Sequence, residues 1–561
     1  MHSRYFRKSP RKSPHKNHQK QPQKNRQKYF AKILSGSFLT GLLLTAGCGS
    51  DANRSPGREE PITDPLLRTT VQGDIRGSLD SESNLLAFRG IPYAQPPLGE
   101  LRFAPPQAAS AHSGVLEATD FAPDCAQAGG VMGGASDAED CLYLNVYTPE
   151  NSENLPVMVW IHGGAFISGS GGDAYNPARL VAEEMVVVTL NYRLGAFGFL
   201  AHPALSAEQN GYSGAYGLLD QKLALEWIQE NIAAFGGDPN NVTLFGESAG
   251  GHSVLSQIAS PHTAGLFHKA IVQSGAYLPT QLSPGVAEQL GSAAFSPCAD
   301  STCLRALSVE EVLSLQEGLT DGTGVNPNYG SELLPLDSIE SALANGNFQP
   351  IPVLMGSNLD EYTLFVGIDA VSGATPPPPE QYHTKIGALI GQPADSPAVA
   401  GIAQFYPLDL YAGNVWQAMG AIGTDAVFAC NAIRQAGQLS RLVTTYAYEF
   451  ADRQAPVAIL PFRPEGLELG ASHAFEIPYI WGSEAAFRTR GATDEQVALS
   501  QRMIRYWTRF ARHGDPNGGS DDHWPAFDVN AQLIQLGGDT PLINTIEFDS
   551  YHRCAVWAPS N

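Results

Sequence analysis

Ser248 stands in Gly246-Glu247-Ser248-Ala249-Gly250-Gly251, directly after the strand-like run Asn241-Val-Thr-Leu-Phe245. Neighbours with little or no side chain let a backbone turn sharply from strand to helix. The serine hydroxyl is then lifted to the tip of the turn, where it can attack a carbonyl. In a chain with 57 Gly the pattern G-x-S-x-G alone says little, so the surrounding residues decide.

Three further groups would complete acyl transfer. Upstream, the apolar run Leu155 to Ile161 opens into His162-Gly163-Gly164-Ala165-Phe166. Such a loop brings backbone N–H groups close to a developing alkoxide, and the N–H of Ala249 would join them. Downstream, Ile351 to Gly356 leads to Asp360-Glu361. A carboxylate just past a strand end can hold a catalytic imidazole in the right tautomer. Both adjacent acids are candidates on this ground. The base is a His placed after the last strand, and of 14 His residues His473 follows the strand candidate Thr444 to Phe450. His383, His513 and His523 lie among Pro, Gly and Asp residues and are expected in exposed loops.

Apolar runs at 155–161, 185–190, 242–245, 270–273 and 351–355 must position these groups, and they alternate with helix-like segments. The clearest helix is expected over 218–234, stopped by Gly236-Gly237. This alternation predicts an α/β fold with a mainly parallel sheet, helices on both faces, and a site at the carboxyl ends of the strands. Thr375-Pro-Pro-Pro-Pro379 marks an exposed loop in a segment that covers that site.

The motifs together resemble the type-B carboxylesterases of the α/β-hydrolase superfamily, in look closest to bacterial para-nitrobenzyl-esterase-like enzymes. The likeness begins at Phe88-Arg-Gly-Ile-Pro-Tyr-Ala94 and Glu139-Asp-Cys-Leu-Tyr-Leu-Asn-Val-Tyr147. It runs through Asn191-Tyr-Arg-Leu194, Phe235-Gly-Gly-Asp-Pro-Asn240 and the Ser248 turn to Phe510-Ala-Arg-His-Gly-Asp-Pro-Asn517 and Trp524-Pro525. It implies an α/β-hydrolase fold with large insertions over the active site and a Ser248, Glu361, His473 triad. The oxyanion hole would be made by Gly164, Ala165 and Ala249, and the reaction would be ester hydrolysis with neither metal nor cofactor. Two positions depart from the family pattern: Tyr362 replaces the Gly after Glu361, and Ala474 replaces the Gly often found after the His. Tyr362 puts the local backbone in question, because Tyr resists positive φ. Activity is expected to rise with pH through an apparent pKa of about 6 to 7, the ordinary range of His. Small to medium acyl esters are the expected substrates. A long-tunnel lipase or polyester hydrolase is one alternative, and a catalytically inactive binding homologue is another.

Residues 1–32 carry eleven Lys or Arg and no acid, and 33–47 carry no charge, as in a secretory signal. The segment ends in Leu44-Thr-Ala-Gly-Cys48, which resembles a bacterial lipobox with Thr45 in place of the usual aliphatic residue. Expected from this are a signal peptide over 1–47, a lipidated Cys48, a polar tether to about residue 66 and one catalytic domain over 67–561. The protein would be exported and anchored to the cell envelope, or released if ordinary signal peptidase cleaves it. Loss of the signal takes eleven of 34 basic residues and leaves 23 against 56 acidic, a net charge of −33. Nucleic acid and anionic membrane surfaces are excluded as partners by that charge, leaving the lipid as the only membrane contact. Six Cys remain for an oxidising compartment. Proximity suggests Cys125 with Cys141 and Cys298 with Cys303, leaving Cys430 with Cys554, and the resemblance implies the same pairs. The loop between Cys125 and Cys141 has no aromatic residue, whereas cholinesterases carry a Trp there, which argues against choline esters.

Overall fold

The computed structural model describes residues 64–558, apart from 81–82, 84, 131–132, 278–279, 320–324, 335–336 and 529–530. The expected signal, Cys48 and most of the tether lie outside the described residues. Among the described residues no helix is long and apolar enough to cross a membrane.

An eleven-stranded sheet organises the chain. Its strands are β1 (Ser78–Asp80), β2 (Leu85–Pro92), β3 (Tyr143–Pro149), β4 (Leu155–Ile161), β5 (Val186–Leu190), β6 (Gly237–Glu247), β7 (Lys269–Gln273), β8 (Val353–Asn358), β9 (Thr445–Phe450), β10 (Gln532–Leu536) and β11 (Leu542–Asn544). They lie in the order β11-β10-β9-β8-β7-β6-β4-β5-β3-β2-β1. The seven from β10 to β5 run parallel, and antiparallel strands close both edges. A small separate sheet joins Leu67–Thr70, Gly73–Arg76 and Val115–Glu117.

The near-continuous apolar character of β4 and β5 reflects burial on both faces. Alternation then sends successive side chains to opposite cores: Val157, Val159 and Ile161 pack in one, Met158 and Trp160 in the other. β6 is longer than the run 242–245 suggested. Gly237 pairs with Leu155, so the Gly-Asp-Pro-Asn stretch, turn-like in composition, is held extended by its neighbour.

The helix expected over 218–234 is α1 (Tyr216–Asn231), and Ile232–Phe235 continues as a 3-10 turn that ends at Gly236 with φ 82°. Its buried Asp220 receives a bidentate pair from Arg193 at 2.7 and 2.8 Å. α2 (Ala249–Ala259) follows β6, and α3 (Asp494–His513) is a 20-residue helix with a Thr493/Gln496 capping box and Gly514 beyond its end. The three disulfides pair as expected: Cys125–Cys141, Cys298–Cys303 and Cys430–Cys554. The last ties the end of a π-helix (Thr424–Ala429) to the turn after α4 (Thr545–His552).

Candidate active site

β4 sits between β5 and β6, so the chain leaves it in one direction and returns on the other side. The carboxyl ends of β4 and β6 therefore border a crevice at a topological switch point, where open α/β sheets bind ligands. Both glycine-rich turns open there.

At the end of β6, Ser248 adopts φ 56° and ψ −122°, a conformation L-residues avoid unless the surroundings enforce it. Here the enforcement is steric. A Cβ on Gly250 would lie 1.9 Å from the Ile161 carbonyl oxygen, and one on Gly246 would lie 2.6 Å from the Gly250 carbonyl carbon. The turn therefore closes only on glycine, and Ser248 N–H is tied to Gln273 O at 2.9 Å. Ser248 as a residue is partly buried.

The β4 turn folds against it. A Cβ on Gly163 would lie 3.1 Å from Ser248 Cβ, and Gly164, Ala165 and Phe166 all have positive φ, at 108°, 55° and 60°. This coil leaves the N–H groups of Gly164 and Ala165 without acceptors among the described residues. Ala249 opens α2, so its N–H is a first-turn donor with no intrahelical partner. His162 is stacked on Tyr192 at 4.4 Å, and burial lowers its pKa to about 4, which keeps it neutral.

The acids left open by the sequence are separated by the structure. Glu361 is fully buried, with Oε1 accepting from Asn358 N–H at 2.7 Å and Oε2 2.5 Å from His473 Nδ1. Asp360 turns away to Arg453, at 3.0 and 3.1 Å, and to the Ala471 N–H. Tyr362 has φ −75°, so no glycine is required there; its ring lies over Gly423, where a Cβ would meet it at 2.1 Å. Ala474 is the costlier departure, since at φ 64° it holds a left-handed conformation that costs an ordinary residue about 1 to 2 kcal/mol. Of the other histidines considered, His383 and His513 are exposed as expected but lie on helices rather than loops.

One partner of His473 went unread in the sequence. Its Nε2 faces Glu247 Oε1 at 3.1 Å, and both side chains are buried. A third buried acid, Glu476, accepts from Asn358 Nδ2 at 2.7 Å and Gln273 Nε2 at 3.1 Å. Burial raises the Glu247 carboxyl to about 8, with Glu476 and Glu361 adding to the rise. Burial acts to lower His473, but Glu247 and Glu361 outweigh it and push the imidazole up to about 9. Both facing groups are thus biased toward their protonated forms, and the ordinary His range expected from residue type is displaced upward. Glu247 adjoins Ser248 and Glu476 lies three residues after His473, but neither spacing distinguishes an acid turned inward from one in solvent.

A cavity of about 440 Å³ opens beside these groups, lined by Gly163, Gly164, Glu247 and Ala474 with Tyr175 and Trp481 as an aromatic floor.

The Carboxylesterase family profile matches residues 63–557. Acylcarnitine hydrolase of Mus musculus is 36% identical over 524 residues, covering 86% of this chain and 89% of that protein. Cocaine esterase of Homo sapiens is 35% identical over 565 residues, covering 92% and 93%. Among solved structures, a PNB esterase superposes with a TM-score of 0.74 at 33% identity, covering 89% of this chain and all of that one. The chain belongs to the carboxylesterase family and is a carboxylic ester hydrolase of the α/β-hydrolase fold.

Proposed function

We propose that the chain cleaves carboxylic esters through an acyl-enzyme on Ser248, with His473 as general base and Glu361 as its orienting acid. The observation that carries this is the buried 2.5 Å contact between Glu361 Oε2 and His473 Nδ1 on strand-end loops neighbouring the strained Ser248 turn. Glu361 fixes the tautomer with the proton on Nδ1 and stabilises the imidazolium formed when Nε2 accepts the serine proton. Ser248 Oγ attacks the ester carbonyl, and the N–H groups of Gly164, Ala165 and Ala249 receive the developing oxyanion. The tetrahedral intermediate collapses, and the imidazolium protonates the departing alcohol. Water, deprotonated by His473, then releases the acid and frees Ser248. Small to medium acyl esters are the substrates in this proposal.

We also infer that the chain is exported. Residues 1–47 act as a signal, Cys48 carries lipid, the segment to about residue 66 tethers, and 67–561 form the catalytic domain. Support comes from the basic and then uncharged N-terminus and from three disulfides, which persist in oxidising compartments.

The test is hydrolysis of p-nitrophenyl esters from acetate to palmitate by the full chain beside Ser248→Ala. Cleavage of short esters with a loss of about a thousandfold or more in kcat for the variant is expected. Equal activity of the two proteins would sink the assignment.

A further inference from the structure

The loops carrying Glu361 and His473 are bonded to each other along their length. β8 and β9 are adjacent parallel strands, so the chain leaves both at the same end of the sheet, and Leu359 N–H still donates to Phe450 O at 2.9 Å. Beyond that point residues 358–363 act as a template for 469–473. Asp360 N–H donates to Ala471 O at 3.0 Å, and His473 N–H to Glu361 O at 3.2 Å. Thr363 Oγ1 lies 2.6 Å from Leu469 O and 2.8 Å from Ser472 Oγ.

One bond in this set comes from a buried-side carboxylate that the proposed mechanism does not use. Asp360 Oδ2 accepts from Ala471 N–H at 3.0 Å, two residues before His473. The same oxygen accepts from Arg453 Nε at 3.0 Å, and Oδ1 accepts from Arg453 Nη2 at 3.1 Å. Arg453 lies three residues beyond β9, and its fork fixes the plane of the carboxylate and so aims Oδ2 at the base loop. The chain makes room for that oxygen. A Cβ on Gly470 would lie 2.1 Å from Asp360 Oδ2.

The backbone held by this bond is strained on both sides of His473. Gly470 has φ 61° and Ala474 φ 64°, left-handed conformations that persist only where the surroundings over-determine them. Ala471 lies inside that span and is fully buried. If Asp360 were removed, the buried Ala471 N–H would lose this acceptor, and a buried donor without a partner drives the backbone to shift. The 2.5 Å contact between His473 Nδ1 and Glu361 Oε2 depends on where that backbone lies.

We propose that Asp360 is a positioning residue: through Ala471 N–H it sets the distance between His473 and Glu361, while Arg453 holds its carboxylate in place. This rests on the assignment of Glu361 and His473 as acid and base. Asp360 does not touch the reacting atoms; it acts through the loop that presents the imidazole, as supporting hydrogen bonds do around a preorganised site.

The experiment measures kcat and KM for p-nitrophenyl acetate from pH 5 to 10 with the full-length protein, Asp360→Ala, Asp360→Asn and Arg453→Gln. Asp360→Ala is expected to lower kcat by about tenfold or more with KM within about twofold, because small misplacements of a catalytic group cost rate rather than binding. Its rising limb moves to lower pH by roughly half a unit or more, since Glu361 raises His473 and a looser contact raises it less. Asp360→Asn keeps an oxygen for Ala471 N–H and retains at least about a third of wild-type kcat. Should the alanine protein fail to fold, Arg453→Gln decides, with an expected fall in kcat of roughly two- to fivefold. A folded Asp360→Ala with wild-type kcat and an unmoved limb overturns the proposal, as do equal losses in the Ala and Asn proteins or an unchanged Arg453→Gln where it decides. A wild type inert toward the ester, or no less active as His473→Ala, sinks the acid and base assignment and this inference with it.

Discussion

Replacing Glu247 by Gln tests the electrostatics around the base directly. Its carboxylate lies 3.1 Å from His473 Nε2, the nitrogen that must be unprotonated to accept the serine proton in the proposed mechanism. At that separation two unit charges attract by about 5 kcal/mol at an effective dielectric of 20 and about 1 kcal/mol at 80. At about 1.4 kcal/mol per pKa unit, the carboxylate raises the imidazole by roughly 1 to 4 units. The sign follows from the active form. Neutral His473 accumulates as pH rises through its pKa, so a raised pKa places the rising limb of kcat/KM at high pH. With a neutral amide in place of the Glu247 carboxylate, burial opposes Glu361 alone, and the limb moves to lower pH by about one unit or more. The assay is kcat/KM for p-nitrophenyl acetate from pH 5 to 10 with both proteins, corrected for spontaneous hydrolysis. A wild-type limb near the ordinary His value that does not move in Glu247→Gln would refute the account in which Glu247 raises His473.

The Cys430–Cys554 bridge closes a loop of 124 residues, and Cys430→Ser with Cys554→Ser should lower unfolding free energy by about 4 to 5 kcal/mol, read from the urea midpoint. An unchanged midpoint would count against a stabilising bridge. The five-residue Cys298–Cys303 loop should contribute far less, because loop entropy falls with length. Cys48→Ser should move the protein from the membrane fraction to the soluble exported fraction; a variant still pelleting with membranes would overturn lipid anchoring at Cys48.

The chemistry was legible where it depends on local backbone demands. A turn that closes only on glycine leaves its mark as Gly246, Gly250 and Gly251, and strands buried on both faces leave unbroken apolar runs such as Leu155 to Ile161. Helix ends were less legible. Tyr216 belongs to α1 because of packing that the expected start at 218 did not anticipate, and His513 belongs to α3 although Gly514-Asp-Pro reads as loop. The length of β6 came from pairing with β4 rather than from its own composition.

Residue type, order along the chain and family likeness were enough to name a candidate nucleophile, the glycine-rich loop beside it, a pair of candidate acids, a candidate base and the cysteine pairs. Folding had to decide which acid meets His473 and that Glu247 competes for the same imidazole. It also decided that Phe428, in a π-helix more than 170 residues along the chain from Ser248, packs 4.9 Å from the His473 ring. Those outcomes depend on distances between segments far apart in the chain and on burial, which sets the strength of each charge. Neither quantity is written in local spacing.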